Sequence, residues 1–318
     1  MINKINLINK NILVAGGSGL LGANITDLLI KSKANVVSSY YQKKFKFNKK
    51  HYKKFDFLNM NDCLKATKKK EIVFIVAVRA SGMLNIKENF FKQNLNNLKL
   101  RINLLEACKI NKVKSIVWVS SSTVYQPLKR PIKENEINYN LQPYEIYLGV
   151  GSAYRYLEET FMNYLKNFKM NIKIIRTASI YGPFDNFNLK TSHVIPALIK
   201  KSLSKDKSLR VLGDPSVTRD FVYVKDLAMA CIFLSRHKFK GIVNFSAGKP
   251  TSIKKLSKKI LNIIGSQKKI QFINKKKSSA KYRVLDNAKF GNLFKKFKRT
   301  KLEHGLLETI NWYLKNEK

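Results

Sequence analysis

Three glycines near the amino end, Gly16, Gly19 and Gly22 in NILVAGGSGLLGANIT, restrict this chain more than any other feature. An apolar run (Ile12, Leu13, Val14, Ala15) leads into them, and an amphipathic stretch starting near Leu20 (Leu21, Ile25, Leu28, Leu29) follows. Strand, glycine turn and helix in that order make the head of a βαβ unit whose turn receives a phosphate. The first glycine makes the tight turn, the second lets an anion approach the backbone, and the third lets the helix lie close to the strand. Amides at the helix start, those of Leu20 and Leu21 among them, then face the anion with the positive end of the helix dipole behind them. With a second strand over residues 35–38, the spacing predicts a dinucleotide-binding domain at the amino end.

The alternation continues. Residues 71–78 and 115–120 are near-continuous apolar runs, the pattern of parallel strands covered on both faces. Residues 55–57 and 171–175 read as further strands. Helices are expected over 94–109 and in the stretch carrying Leu157, Phe161, Tyr164, Leu165 and Phe168. Such an order predicts an α/β fold, a Rossmann-type doubly wound parallel sheet, with a smaller, mostly helical C-terminal substrate domain. The expected division is 1–182 as the dinucleotide-binding domain, completed by about 217–246, with 183–216 and 247–318 forming the substrate-binding domain. Asp226 reads as a helix N-cap.

Ligands in such sheets lie at the carboxyl ends of the strands. The second strand ends in Ser38-Ser39-Tyr40-Tyr41-Gln42-Lys43-Lys44, with none of the acids that grip a ribose 2′-hydroxyl. Ser39 and Lys43 suit a 2′-phosphate, so NADP is favoured and NAD is compatible. Asp56 can meet the adenine edge, with Phe57, Ala77 and Asn94 completing the cofactor set. Arg79, at a strand's carboxyl end, faces the substrate side.

Charge is the anomaly: 62 Lys and Arg against 20 Asp and Glu leave +42. Such excess suits anionic partners, but Lys, Asn and Ile are abundant throughout, the mark of compositional drift. Without an aromatic–basic RNA motif, nucleic acid is not favoured as a partner. The three cysteines, Cys63, Cys108 and Cys231, are far apart and suit a reduced compartment with no metal site. With no long uncharged apolar run, the expected location is cytoplasmic, with no membrane partner.

Several further motifs stand in order: SSSTVY, RTASIYGP, SHVIPALI, GDPSVTRDFVYVKDLA, VNFSAG and YRVLDNAK. With GGSGLLG they resemble, over nearly the whole chain, the extended short-chain dehydrogenase/reductases of the NAD-dependent epimerase/dehydratase family. His193 in SHVIPALI is most similar to the GDP-L-fucose synthase branch. The resemblance implies a nucleotide-sugar substrate, a homodimer, and hydride transfer with tyrosine- and serine-assisted proton transfer. It implies that Ser121 holds the sugar oxygen, that Thr123 stands where the branch has an acid/base cysteine, and that His193 is its other acid/base residue. Arg219 and Arg283 match positions that hold the substrate pyrophosphate, which a guanidinium fork suits.

One departure is large. The family's Tyr-x-x-x-Lys pair puts both side chains on one helix face, where lysine holds the ribose and favours the phenolate. Here Tyr144 is followed by Leu148 and Tyr147 by Gly151, while counting back from Glu158 gives Val150 and Tyr154. No register supplies a lysine, and an unaided tyrosine would be only about one part in a thousand ionised at neutral pH. Tyr147 is taken as the acid/base, with Arg155 or Arg79 as sources of charge. Two other readings stay open: a cofactor-binding relative without turnover, and an RNA-binding member.

Overall fold

The computed structural model describes residues 7–42, 45, 47–78, 86–168, 170–273 and 280–317, with the backbone alone for 86–93 and 148. The strands are β1 (Asn11–Ala15), β2 (Asn35–Tyr40), β3 (Tyr52–Lys54), β4 (Ile72–Ile75), β5 (Ser115–Ser121), β6 (Ile172–Thr177), β7 (Ser179–Tyr181), β8 (Ser208–Leu212), β9 (Thr218–Tyr223), β10 (Gly241–Phe245), β11 (Pro250–Ser252), β12 (Lys269–Ile273) and β13 (Tyr282–Arg283). The helices are α1 (Leu20–Lys31), α2 (Met60–Thr67), α3 (Ile86–Ile110), α4 (Leu148–Asn167), α5 (Val194–Ser202), α6 (Val224–Arg236), α7 (Ile253–Ile264), α8 (Ala288–Leu293) and α9 (Leu302–Asn316).

Seven strands form a parallel sheet in the order β10-β6-β5-β4-β1-β2-β3. The order reverses between β1 and β4, and the glycine turn leaves β1 beside that crevice, where an open α/β sheet takes its ligand. Apolar residues cover both faces. Ile12, Val14 and Val117 pack with α1 and α6. Leu13, Val73, Ile75 and Trp118 pack on the other face with α2, α3 and α4. The expected doubly wound sheet is present.

A third cluster, with Tyr181, Ile199, Phe221, Leu256 and Leu306, forms the core of the smaller lobe. That lobe also carries two small sheets: β9 flanked by β11, β13 and β7, and the pair β8–β12. Most of these strands are short and partly exposed, and buried β9 carries Arg219 and Asp220, so hydrophobic alternation does not announce them. Phe45 and Phe47, in the loop after β2, stack on Phe184, and Phe47 and Phe184 also meet Trp312 of α9. The lobes are thereby tied beside the cofactor edge.

Several boundaries differ from expectation, each for a local reason. The third strand is residues 52–54 rather than 55–57. The Tyr52 hydroxyl donates to Gly17 O at 3.2 Å, whereas Asp56 forms a turn by accepting from Leu58 N at 3.0 Å. Helix α3 begins at Ile86, ahead of residue 94. Asp226 lies inside the first turn of α6, whose N-cap is Tyr223. Its carboxylate accepts from Thr300 N at 2.7 Å and Thr300 Oγ1 at 2.8 Å, anchoring the chain before α9.

Beneath the carboxyl edge of the sheet lies a buried ion pair. Arg176 of β6 and Glu158 of α4, each 1% exposed, meet at 2.7 Å. Ser120 Oγ donates to Glu158 Oε1 at 2.5 Å, and Arg176 Nη1 donates to the Tyr125 hydroxyl at 2.7 Å. That hydroxyl in turn donates to Asn244 Oδ1 of β10, at 2.7 Å. Removing one partner would strand a buried charge. Glu158→Ala is therefore expected to lower the unfolding free energy by about 3–5 kcal/mol in urea denaturation. A loss below about 1 kcal/mol would show that water already shields the pair.

Candidate active site

The glycine turn is built from backbone contacts that leave no room for side chains at two of its three positions. Gly16 has φ +97°, and a Cβ there would lie 2.5 Å from Ala77 N, where the chain leaves β4. A Cβ on Gly22 would collide with the Gly16 carbonyl oxygen and lie 2.7 Å from Gly17 Cα. Gly19 differs: its φ is −85°, and the nearest atom to an added Cβ is Gly16 O at 3.5 Å. Gly16 and Gly22 are required by the fold, while Gly19 keeps space open. Gly19 is also the N-cap of α1, with no side-chain cap and no acid in the first turn. The leading amides, those of Leu20 and Leu21 included, are left for an anion, so the residues fit a dinucleotide pyrophosphate.

Ser39 is 2% exposed, and its hydroxyl accepts from Gly16 N at 2.7 Å while its carbonyl accepts from Ser18 N at 3.2 Å. It holds the glycine turn in place. Lys43 and Arg79 lie outside the described residues. Asp56 is half-buried, and the Phe57 carbonyl accepts from Asn103 Nδ2 of α3 at 3.1 Å. Ala77 packs on Gly16, and Asn94 is half-buried in α3.

Ser121 ends β5, and its hydroxyl accepts from Thr123 N at 3.2 Å. Thr123 is 6% exposed, with Oγ1 buried and without a hydrogen-bond partner. Helix α4 runs close past this point: a Cβ on Gly151 would lie 2.5 Å from Thr123 O and 2.6 Å from Pro143 Cβ. One turn earlier, Tyr147 stands at the helix start. The Arg283 guanidinium lies 4.8 Å from the centre of its ring, and Arg219 hydrogen-bonds to it.

The two arginines are directly paired residues of β13 and β9. Arg219 is 7% exposed and donates to the carbonyls of Ala280, at 2.5 Å, and Thr218, at 2.9 Å. Burial, then Arg283, lowers its pKa. Arg283 Nη2 donates to Ser179 Oγ at 3.2 Å, and its Nε is buried without a partner. His193, exposed just before α5, is held below its ordinary pKa by the protein around it and then by the Arg283 charge. The shift favours the neutral imidazole. Tyr147, His193, Arg219 and Arg283 thus share one electrostatic environment. Ser179 joins it through Arg283; its signal was the RTASIYGP motif, in which it had no assigned role.

Other groups are engaged elsewhere. The Tyr144 hydroxyl accepts from Leu128 N at 3.3 Å and donates to the Tyr282 carbonyl. Arg155 donates to the carbonyls of Val124 and Leu141, both at 2.7 Å. Tyr154 accepts from Arg101 Nη2 at 2.8 Å. Two of the three lysine registers are filled: a side chain at Gly151 would meet the Thr123 carbonyl and Pro143, and Tyr154 is bound by a buried arginine.

The NAD dependent epimerase/dehydratase model matches residues 12–246. The chain belongs to this family. It is 30% identical to "Probable GDP-L-fucose synthase 1" of Oryza sativa subsp. japonica over 237 residues, 69% of each chain. It is 27% identical to the GDP-L-fucose synthase of Sinorhizobium fredii, covering 98% of this chain and 97% of that one. Among solved structures, a UDP-N-acetylglucosamine 4-epimerase from Methanobrevibacter ruminantium M1, in complex with UDP-N-acetylmuramic acid, superposes with TM-score 0.86 at 25% identity. That match covers 97% of this chain and 99% of the other. A GDP-L-fucose synthetase from Naegleria fowleri bound to NADP shares the fold, with TM-score 0.82 at 22% identity over 98% and 95% of the two chains. No helix among the described residues is long and apolar enough to cross a membrane.

In this member of the family, the loop leading to His193 contains a buried acid. Asp185 is 8% exposed; Oδ1 accepts from Asn186 N at 2.8 Å, while Oδ2 is buried without a partner. The loop is tied to α1, because Asn24 Nδ2 donates to Pro183 O at 2.9 Å. Burial raises the Asp185 pKa from 3.8 to about 7. The folded protein therefore holds this proton more tightly than the unfolded chain. Its contribution to stability is fully present below about pH 4 and is lost as pH rises through about 7. Asp185→Asn should raise the melting temperature at pH 8, with the gain shrinking steadily towards pH 4. A gain independent of pH would assign the effect to packing.

Gly19→Val should leave the melting temperature within a few degrees and weaken NADPH binding at least tenfold, measured by fluorescence titration. Gly22→Ala should lower the melting temperature markedly, because its methyl group meets the Gly16 carbonyl. Unimpaired NADPH binding by Gly19→Val would mean that the turn does not face the pyrophosphate.

Proposed function

We propose that this protein is an NADP-dependent nucleotide-sugar epimerase or reductase of the GDP-L-fucose synthase type. The observation that carries the reading is the convergence of Arg219 and Arg283 on Tyr147, on the same side of the fold as the carboxyl end of β5. Two guanidinium groups on adjacent strands repel each other until an anion lies between them, and the diphosphate of a nucleotide sugar supplies that charge. When bound, the dinucleotide supplies a hydride acceptor and donor at its nicotinamide ring.

The remaining steps fall to this chain's own groups. The amides of Leu20 and Leu21, behind the space at Gly19, hold the pyrophosphate of the cofactor. Ser121 hydrogen-bonds the sugar oxygen at the reacting carbon, and Tyr147 exchanges the proton on that oxygen. His193, whose pKa is held below the ordinary value, accepts a carbon-bound proton beside a ketone. Thr123 keeps an unpartnered hydroxyl beside Ser121, a far weaker acid than the thiol it replaces, so proton exchange at carbon is assigned to His193. The residues at the end of β2 include no carboxylate to repel a 2′-phosphate, which supports NADP over NAD. The packing of Gly151 and the Arg101–Tyr154 bond support a second reading, a cofactor-binding relative without turnover.

NADPH should bind at least tenfold more tightly than NADH. With a GDP-4-keto-6-deoxy sugar as substrate, Tyr147→Phe should lower kcat about 100-fold or more while NADPH affinity is kept. Arg283→Gln should mainly raise KM. Tight NADPH binding without turnover on any nucleotide sugar would establish the second reading, and equal affinity for NADH and NADPH would remove the cofactor assignment.

A further inference from the structure

The unit made of α5, β8, α7 and β12 concentrates charge beyond the drift of the whole chain. Five Lys and Arg fall in residues 194–213 and six in 253–273, eleven in all, against the single acid Asp206. The chain as a whole carries 62 cations to 20 acids, about three to one. Some of the eleven have structural partners. Lys259 is paired with Glu303, and Lys268 donates to the carbonyls of Lys201, at 2.9 Å, and Ser204, at 2.6 Å. Lys254, Lys255 and Lys258 are exposed and form no ion pair among the described residues. On α7, Lys254 and Lys258 make a like-charge pair one turn apart, which weakens the helix. An arrangement that destabilises its own helix is relieved when an anion lies along it.

A groove runs between α7 and β12. Lys254, Lys258 and Asn262 form one wall, Gln267 stands at the turn, and Ile270 and half-buried Phe272 supply an apolar floor. No acidic side chain lines it. Cations that track a phosphate chain, an aromatic face for a base and amides for base edges are the parts of a single-strand nucleic-acid site. Duplex bases would be stacked on each other and unable to use the ring, and an acidic peptide would have no need of it. We propose that this groove binds single-stranded nucleic acid, with phosphates along Lys254 and Lys258 and a base on Phe272. None of these residues belongs to the glycine turn or to the Arg219–Arg283 cluster, so the site stands independently of the reading above.

The test is fluorescence anisotropy of the full chain with labelled dodecauridylate in 150 mM NaCl. Lys254→Glu combined with Lys258→Glu should weaken binding at least tenfold and flatten the salt dependence by about 1 in log–log slope. The matched surface control, Lys65→Glu with Lys68→Glu, should cost less than threefold. Phe272→Leu, which keeps an apolar floor, should weaken binding about fivefold or more. Melting temperature and NADPH affinity should be unchanged in the lysine variants, which keeps the test valid if Phe272→Leu proves unstable. Absence of binding by the unaltered protein, equal losses in the two lysine pairs, or equal competition by a dodecaglutamate peptide would each overturn the proposal.

Discussion

Burial of the Arg176–Glu158 pair sets the geometry on which the site depends. Two charges withdrawn from water at 1% exposure are tolerable only with every polar atom matched, and Ser120, Tyr125 and the Glu134 carbonyl complete the match. Meeting those partners holds α4 against the carboxyl ends of β5 and β6. The close pass of Gly151 over Thr123 and the position of Tyr147 follow from that placement. The pair thus anchors the edge that carries the candidate site.

The second constraint is repulsion. Arg219 and Arg283 are register partners on β9 and β13, and burial lowers the tendency of Arg219 to keep its proton. Backbone carbonyls and Ser179 satisfy part of their donor capacity, while Arg283 Nε has no partner. A site with this unresolved charge is poised for an anion. The protein around His193 and, secondarily, the Arg283 charge hold its pKa below the ordinary value. Without a lysine four residues after Tyr147, positive charge beside it comes from Arg219 and Arg283 instead.

Much of the fold was legible along the chain because parallel strands covered on both faces are continuous apolar runs, and the glycine spacing marks their first crossover. Strands β8, β11, β12 and β13 were hidden because they are short and partly solvated, and buried β9 because Arg219 and Asp220 interrupt its apolar run. Helix α3 was cut short because its first turns are rich in polar residues. The candidate site was legible only as residues. Ser121, Tyr147, His193, Arg219 and Arg283 could be named along the chain, but the grouping of Tyr147, His193 and Arg219 around Arg283 depends on the β13–β9 pairing, across 64 residues of sequence.

By itself, then, the sequence determined the sheet, its phosphate-receiving turn and the family, since these rest on local spacing and periodicity. Tertiary structure decided the role of individual groups. Ser39 faces a ligand by position, yet its hydroxyl is drawn inward by the Gly16 amide. Arg155 is near the right place for charge, yet its guanidinium is consumed by two carbonyls. Gly19 and Gly22 look alike in the motif, but only packing shows that one guards open space and the other a backbone contact. The physical reason is common to all three: spacing fixes where a residue sits, while the function of its polar atoms depends on which partners lie within hydrogen-bond or contact distance, and those come from remote segments.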